Sequence, residues 1–119
     1  GSVIDFAVLL HLSGDSRRAE ELFASVPETF ETFRLLAEGR HNMAEDDEAA
    51  RLMTAYLQNN PRATSKEWLF LGELFEELGR AEDARRAYNY SLALLTAELP
   101  DTAFHLSPSE QAPAAPASP

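Results

Sequence analysis

Apolar residues recur at three- and four-residue spacing from residue 3 to about residue 99, and no stretch alternates apolar and polar residues. This pattern predicts amphipathic helices without strands, so the predicted fold class is all-α. Turn residues break the pattern five times, which gives six helices in three antiparallel hairpins. The hairpins are predicted over about residues 3–26, 28–60 and 64–99, within one domain spanning residues 3–100.

Four helix starts carry residues suited to that position. A serine, threonine or aspartate before a helix can cap its free N–H groups, and in a capping box a glutamate three residues on reaches back to the cap amide. Acidic residues in the first turn face the positive end of the helix dipole. The predicted features are a cap at Asp15 or Ser16, capping boxes at Ser25/Glu28 and Thr64/Glu67, and the acidic start Glu45-Asp46-Asp47-Glu48.

The two ends of the chain differ from the helical part. Gly1-Ser2 resembles a scar left by tag cleavage, so the natural protein is expected to begin earlier. Residues 106–119 contain four prolines, with alanine and serine making up most of the rest. Such a segment buries too little apolar surface to offset its ordering entropy. Residues 101–119 are therefore predicted to be a disordered tail or a linker.

A fixed spacing of small residues runs through all three hairpins. Helix axes approach most closely where small side chains face each other, so a constant small-to-small spacing predicts the same crossing point in each hairpin. The pairs are Ala7 and Ala19, Ala37 and Ala49, and Gly72 and Ala84, each 12 residues apart. The distance between hairpins varies, being 30 residues from Ala7 to Ala37 and 35 from Ala37 to Gly72.

The third hairpin carries nearly the whole of a known repeat motif, whose residues here are Trp68, Leu71, Gly72, Phe75, Ala84 and Tyr88. The chain therefore resembles the tetratricopeptide repeat family. The second hairpin matches at Phe33, Leu36, Ala37, Ala49 and Met53 but has Arg40 where the motif has an aromatic residue, and the first matches mainly by spacing. The resemblance implies a short right-handed solenoid of about three repeats. A generic helical solenoid or small bundle is the alternative.

Composition narrows the classes of partner and compartment. The net charge of -10, from 20 acidic and 10 basic residues, disfavours binding to nucleic acid or anionic lipid and favours a basic or apolar partner. The chain has no cysteine, which excludes disulfides and thiolate metal sites and is compatible with cytoplasm and periplasm alike. No apolar run approaches the ~18 residues that a membrane span needs.

No catalytic residue, metal site or cofactor is predicted. His11 and His41 fall at equivalent positions of two hairpins but have no third ligand at a known spacing. The acidic cluster at residues 45–48 lacks the glycine and the alternating acids of a calcium loop. Ser13-Gly14-Asp15 has the residue types of an active-site turn, but no histidine is placed to act as its base. An enzyme is therefore not expected.

The candidate binding residues follow from the resemblance. In tetratricopeptide proteins the first helix of each hairpin lines a concave surface that holds segments of partner proteins. Off the packing face, the second and third hairpins place Arg34, Glu38, His41, Asn42, Leu69, Phe70, Glu73, Glu76 and Glu77 on this surface. Glutamates beside apolar residues favour a basic or amphipathic partner. The lysine, arginine and asparagine set with which one subtype clamps a terminal carboxylate is missing, so chaperone C-termini are not the expected partners.

The resemblance implies a non-catalytic protein–protein interaction or scaffolding module. Analogy suggests a place in a larger bacterial assembly, secretion or exopolysaccharide export protein. The alternative is a small dedicated chaperone that wraps one client helix. The last helix has leucines on more than one face, so it is predicted to bury them against a further repeat, a second copy, or its own tail through Phe104 and Leu106.

Overall fold

This computed structural model describes residues 2–96, and this part of the chain contains six helices. They are α1 (Ser2–Leu12), α2 (Ser16–Ala24), α3 (Phe33–Asn42), α4 (Asp46–Gln58), α5 (Ser65–Glu77) and α6 (Ala81–Thr96). No strand occurs within residues 2–96, so the all-α prediction is confirmed. The predicted tail, the predicted last turn of α6 up to residue 99, and Phe104 and Leu106 lie outside the described residues. No helix in the described range has both the length and the apolar character needed to cross a membrane.

The helices belong to two units. The first, Gly1–Ala63, contains the hairpins α1–α2 and α3–α4, and the second, Thr64–Pro119, contains the hairpin α5–α6. In the first unit α3 also packs against α1. The buried apolar residues come from every helix, and the largest fully buried ones are Phe75, Leu52, Met53, Leu71 and Leu74.

The three hairpins share one turn geometry. The second residue after each first helix has a positive φ, 102° at Gly14, 61° at Ala44 and 75° at Gly79. The next amide donates to a carbonyl five residues earlier, from Asp15 to Leu10 (2.8 Å), Glu45 to Arg40 (2.9 Å) and Arg80 to Phe75 (2.9 Å). This is the Schellman ending of a helix. The three positive-φ residues are 30 and 35 residues apart, the same intervals as the small residues, so the repeat is present in the backbone hydrogen bonds.

The small residues that define the repeat are buried. Ala7, Ala19, Ala37 and Ala49 have no exposed surface, and Ala84 is 2% exposed. A Cβ placed on Gly72 would lie 2.4 Å from the Tyr88 ring, which is too close for any side chain there without movement of the tyrosine. Gly72 therefore provides the space that Tyr88 fills between α5 and α6.

Two of the predicted helix caps are confirmed. The Asp15 carboxylate accepts a hydrogen bond from the amide of Arg18 at the start of α2. At the start of α5 the Thr64 hydroxyl accepts from the Glu67 amide (3.3 Å), and the Glu67 carboxylate accepts from the Thr64 amide (3.0 Å). The predicted capping box is therefore complete in both directions.

The capping box predicted at Ser25 and Glu28 is wrong, because α3 begins only at Phe33. Ser25 instead ends α2, where its hydroxyl donates to the Leu22 carbonyl (2.6 Å). The Thr32 hydroxyl accepts from the Thr29 amide (2.8 Å) and donates to the Pro27 carbonyl (2.7 Å). These local hydrogen bonds stabilise an irregular connection in place of an early helical turn.

Candidate partner-binding surface

A small groove lies between α1 and α3 in the first unit. Its lining residues are Ile4, Asp5, Leu35, Glu38, Gly39 and Asn42. Ile4 and Gly39 are buried at its base, whereas Asp5, Leu35 and Asn42 are exposed and Glu38 is half-exposed. The groove thus combines an apolar floor with two carboxylates and one side-chain amide at its edges.

Close packing of α3 on the first hairpin positions this groove. A Cβ on Gly39 would lie 2.7 Å from Ile4 Cγ2 and 2.8 Å from Phe23 Cζ. Only glycine lets the α3 backbone approach these two side chains so closely. A larger residue at position 39 would push α3 away and change the groove between the helices.

Arg40, the next residue of α3, also contacts Phe23. Its guanidinium lies 4.3 Å from the centre of the Phe23 ring and donates to the carboxylates of Glu20 and Glu45, at 2.6 Å each. The repeat motif has an aromatic residue at this position, and here a cation stacked on an aromatic ring occupies it. Arg40 therefore packs on an aromatic ring and forms two ion pairs.

The four predicted binding residues of α3 differ in what they contact. Arg34 and Glu38 form an ion pair of 2.8 Å along the helix, with about half of each side chain exposed. His41 Nδ1 lies 2.8 Å from the Asp46 carboxylate at the start of α4. Asn42 and Glu38 line the groove, whereas Arg34 and His41 do not.

The five predicted binding residues of α5 lie on the accessible side of that helix, four of them together and Glu76 at the edge next to α6. Leu69 is 42% exposed, Phe70 is half-buried, and Glu73, Glu76 and Glu77 are exposed. Leu69, Phe70, Glu73 and Glu77 lie opposite the buried side that contains Trp68 and Phe75. Lys66 is exposed one turn earlier, so this surface is acidic at its C-terminal end only.

Glu76 lies at the edge of the α5 surface that borders α6. Its carboxylate accepts a hydrogen bond of 2.8 Å from the Tyr88 hydroxyl. Partial burial, together with this hydrogen bond and the negative charges of Glu76 and Glu73, raises the pKa of Tyr88 to about 12. Glu76 therefore helps to hold the hairpin together, which the sequence did not indicate.

The structure brings together part of the predicted set within each unit. Glu38 and Asn42 meet in the α1–α3 groove, and Leu69, Phe70, Glu73 and Glu77 share one side of α5. A single groove that contains both groups stays a prediction. Sequence reasoning missed Asp5 and Leu35 as groove residues. The repeat contained the signal, because Leu35 stands 35 residues before Phe70, in the same register as Ala37 and Gly72.

The residues considered for chemistry have structural contacts. The Ser13 hydroxyl donates to the Leu10 carbonyl (3.0 Å), and Asp15 caps α2. His11 Nδ1 lies 3.3 Å from the Ser16 hydroxyl. Among residues 2–96 no group of three or more histidine, aspartate and glutamate side chains could hold a metal ion.

Comparison of the chain with models of known protein families, with curated proteins and with solved structures finds no match.

Proposed function

We propose that this chain is a non-catalytic protein–protein interaction module of the tetratricopeptide class, which holds a basic or amphipathic segment of a partner protein. The observation that carries the proposal is the α1–α3 groove, where the apolar side chains of Ile4 and Leu35 line the same groove as the carboxylates of Asp5 and Glu38. The accessible side of α5, with Leu69 and Phe70 beside Glu73 and Glu77, provides a second surface of the same character.

The assignment to this class is supported by the recurrence of one turn and one packing pair. The positive-φ residues Gly14, Ala44 and Gly79 recur at the intervals of the small residues, and each small residue is buried within its own hairpin. Residues at the same distance along the chain from Ala7, Ala37 and Gly72 therefore have corresponding places in the three hairpins. On this basis the first helices α1, α3 and α5 present corresponding positions for binding.

Electrostatics and apolar contact have separate roles in the proposed complex. The net charge of -10 attracts a basic segment over a distance limited by salt, so it acts mainly on the association rate. Burial of the partner's apolar side chains, against Ile4 and Leu35 in the groove or against Phe70 on α5, acts mainly on the dissociation rate. A lysine or arginine of the partner can make both kinds of contact, because its aliphatic stem can cover the apolar surface of the groove while its charged group reaches Asp5 or Glu38.

The proposal is tested with a labelled helical peptide that carries leucines on one side and lysines on the other. A second peptide has glutamate in place of every lysine. We expect the basic peptide to bind the wild-type chain and the acidic peptide not to bind. Binding of both peptides with equal affinity would contradict a charge-selective surface.

Charge-reversal variants then locate the binding site. Asp5→Lys with Glu38→Lys alters the α1–α3 groove, and Glu73→Lys with Glu77→Lys alters α5. We expect one or both pairs to slow association about tenfold or more at low salt, and much less at 1 M salt, where the Debye length is about 3 Å. Leu35→Ser and Phe70→Ala should mainly speed dissociation.

Glu21→Lys with Glu82→Lys is the matched control, because both residues are exposed on the second helices α2 and α6 and the pair makes the same change in charge as each double reversal. Each forms an ion pair on the surface, Glu21 with Arg17 and Glu82 with Arg85, so the loss of these pairs should cost little stability. The proposal fails if all four variants of these two surfaces bind the basic peptide with the kinetics of this control.

A further inference from the structure

Two helix faces, one on α1 and one on α6, expose large apolar side chains. On α1 the exposed fractions are 50% at Phe6 and 63% at Leu9, and on α6 they are 58% at Leu92 and 73% at Leu95. The members of each pair are three residues apart, so each pair forms one patch on its helix. Contiguous apolar patches on a protein surface mark sites of interaction.

The contact of α3 with the first hairpin shows how the α1 face can be covered. Counted from the small residues Ala7 and Ala37, Phe6 and Leu9 of α1 correspond to Leu36 and Gly39 of α3. Leu36 and Gly39 are buried, and Gly39 packs directly against Phe23 of α2. The exposed face of α1 is therefore the face with which α3 packs on a hairpin.

The exposed face of α6 begins beside Tyr88, which corresponds to Phe23 on the surface that receives α3, and it extends past the point where α2 ends at Ala24. Phe23 lies four residues after the small residue Ala19, and Tyr88 lies four residues after Ala84. Leu92 and Leu95 continue from Tyr88 along the same side of α6, about one and two turns further on. In the first unit Phe23 is covered by Gly39 and Arg40, whereas on α6 Leu92 and Leu95 are exposed.

From this correspondence we infer that α1 of one molecule docks on α6 of a second molecule, with Phe6 and Leu9 against Tyr88, Leu92 and Leu95. A second copy of the chain is the occupant because one contact then covers both exposed faces. It uses a type of helix packing already present between α3 and the first hairpin. Leu9 replaces Gly39 in this contact, so α1 packs through its side chains and lies farther from its partner helix than α3 does.

The two molecules use different faces, so the contact is heterologous. A molecule whose α1 face is blocked can still offer its α6 face, and the converse also holds. Each molecule carries a net charge of -10, so repulsion opposes the contact at low salt and screening favours it. Self-association should therefore strengthen with salt, whereas binding of a basic peptide should weaken with it.

Sedimentation equilibrium of the full chain at increasing concentration tests the inference. We expect the average mass of the wild type to rise above that of a monomer, and to rise further at high salt. Leu9→Lys and Leu95→Lys should each weaken self-association about tenfold or more, because a charge replaces a leucine that the contact buries. Glu82→Gln is the matched control, since it makes the same change in net charge near the other end of α6 and should leave association unchanged.

Mixing the two blocked variants gives the decisive result. Leu9→Lys retains an intact α6 face and Leu95→Lys an intact α1 face, and the two substituted faces repel each other, so an equal mixture should form a one-to-one dimer and no larger species. The inference is overturned if the wild type stays monomeric at all concentrations. It is also overturned if Leu95→Lys alone still forms dimers, which would indicate contact of α1 with α1.

Both substitutions fall on strongly exposed side chains, and thermal melting checks that each variant remains folded. Leu92→Lys replaces Leu95→Lys if the latter lowers the melting temperature. Either overturning result would leave the binding of the basic peptide unaffected, so this inference and the proposed function can fail separately.

Discussion

The second and third hairpins have the same turn and the same buried crossing point but build them from different residues. The third has Gly72 against Tyr88, and the second has Ala37 in the register of Gly72 and Met53 in that of Tyr88. The turn residue with positive φ is Gly79 in the third and Ala44 in the second. The difference shows that the hairpin requires a backbone angle and a combined side-chain volume, and that more than one residue pair can satisfy them.

The largest expected effect is that of Gly72→Leu. A Cβ alone would lie 2.4 Å from the Tyr88 ring, so the leucine must displace the tyrosine or separate α5 from α6. Overpacking of this kind costs about 1 to 3 kcal/mol. Chemical denaturation should show a lower unfolding free energy, and an unchanged denaturation curve would contradict the packing of Gly72 on Tyr88.

A residue exchange between the hairpins sharpens this comparison. Gly72→Ala alone should destabilise, although alanine favours a helix over glycine by roughly 1 kcal/mol. Combining Gly72→Ala with Tyr88→Met reproduces the pair found in the second hairpin, and the flexible methionine can accommodate the added methyl group. We expect the double variant to be more stable than Gly72→Ala. If the double variant is instead less stable than Gly72→Ala, the two hairpins do not share a requirement for a combined side-chain volume at this crossing point.

The start of α5 differs from both helix starts of the second hairpin. Thr64 and Glu67 form a complete capping box, whereas no side chain caps α3 or α4. Thr64→Ala should therefore lower the unfolding free energy by about 1 kcal/mol. Thr64→Ser retains the hydroxyl and serves as the control, so its denaturation curve should lie close to that of the wild type. Equal losses in the two variants would show that the methyl group, not the cap, is what matters.

The helix types, the turns and one capping box could be predicted from the sequence because they depend on neighbouring residues and periodicity. The start of α3 could not, since the hydrogen bonds of Thr32 with Thr29 and Pro27 compete with those of a capping box and use the same residue types. The roles of Asp5 and Glu76 depend on contacts between helices. Their positions relative to α3 and α6 follow only from the packed structure.

A smaller effect is expected at the turn of the second hairpin. Ala44 has a φ of 61°, a conformation that costs an L-residue roughly 1–2 kcal/mol and that glycine adopts freely. Glycine also loses more entropy on folding, so Ala44→Gly should stabilise by less than about 1 kcal/mol. Gly79→Ala should have the opposite effect in the third hairpin. The comparison of the turns would be wrong if thermal melting showed both variants shifted in the same direction.

The smallest effect at neutral pH concerns Tyr88, which can titrate where Met53 of the second hairpin cannot. Burial and the hydrogen bond to Glu76 raise the pKa of Tyr88 in the folded protein to about 12, against about 10 for a free tyrosine. The folded state therefore retains the phenol proton more strongly than the unfolded state. The stability that results is fully present below pH 10 and is lost as the pH rises from about 10 to about 12.

Ultraviolet titration of wild type and Tyr88→Phe measures this directly. The difference between the two curves should report one tyrosine of the three in the chain, ionising near pH 12 while the protein is folded. Glu76→Gln removes the carboxylate but not the burial, so it should move that ionisation part of the way toward pH 10. Between pH 10 and 12 the melting temperature of the wild type should fall more steeply than that of Tyr88→Phe. A Tyr88 that ionises near pH 10 in the folded wild type would contradict both the burial of its ring against Gly72 and its hydrogen bond to Glu76, whereas a pKa of Tyr88 that is raised equally in wild type and Glu76→Gln would leave the packing at Gly72 as the contact that joins α5 and α6.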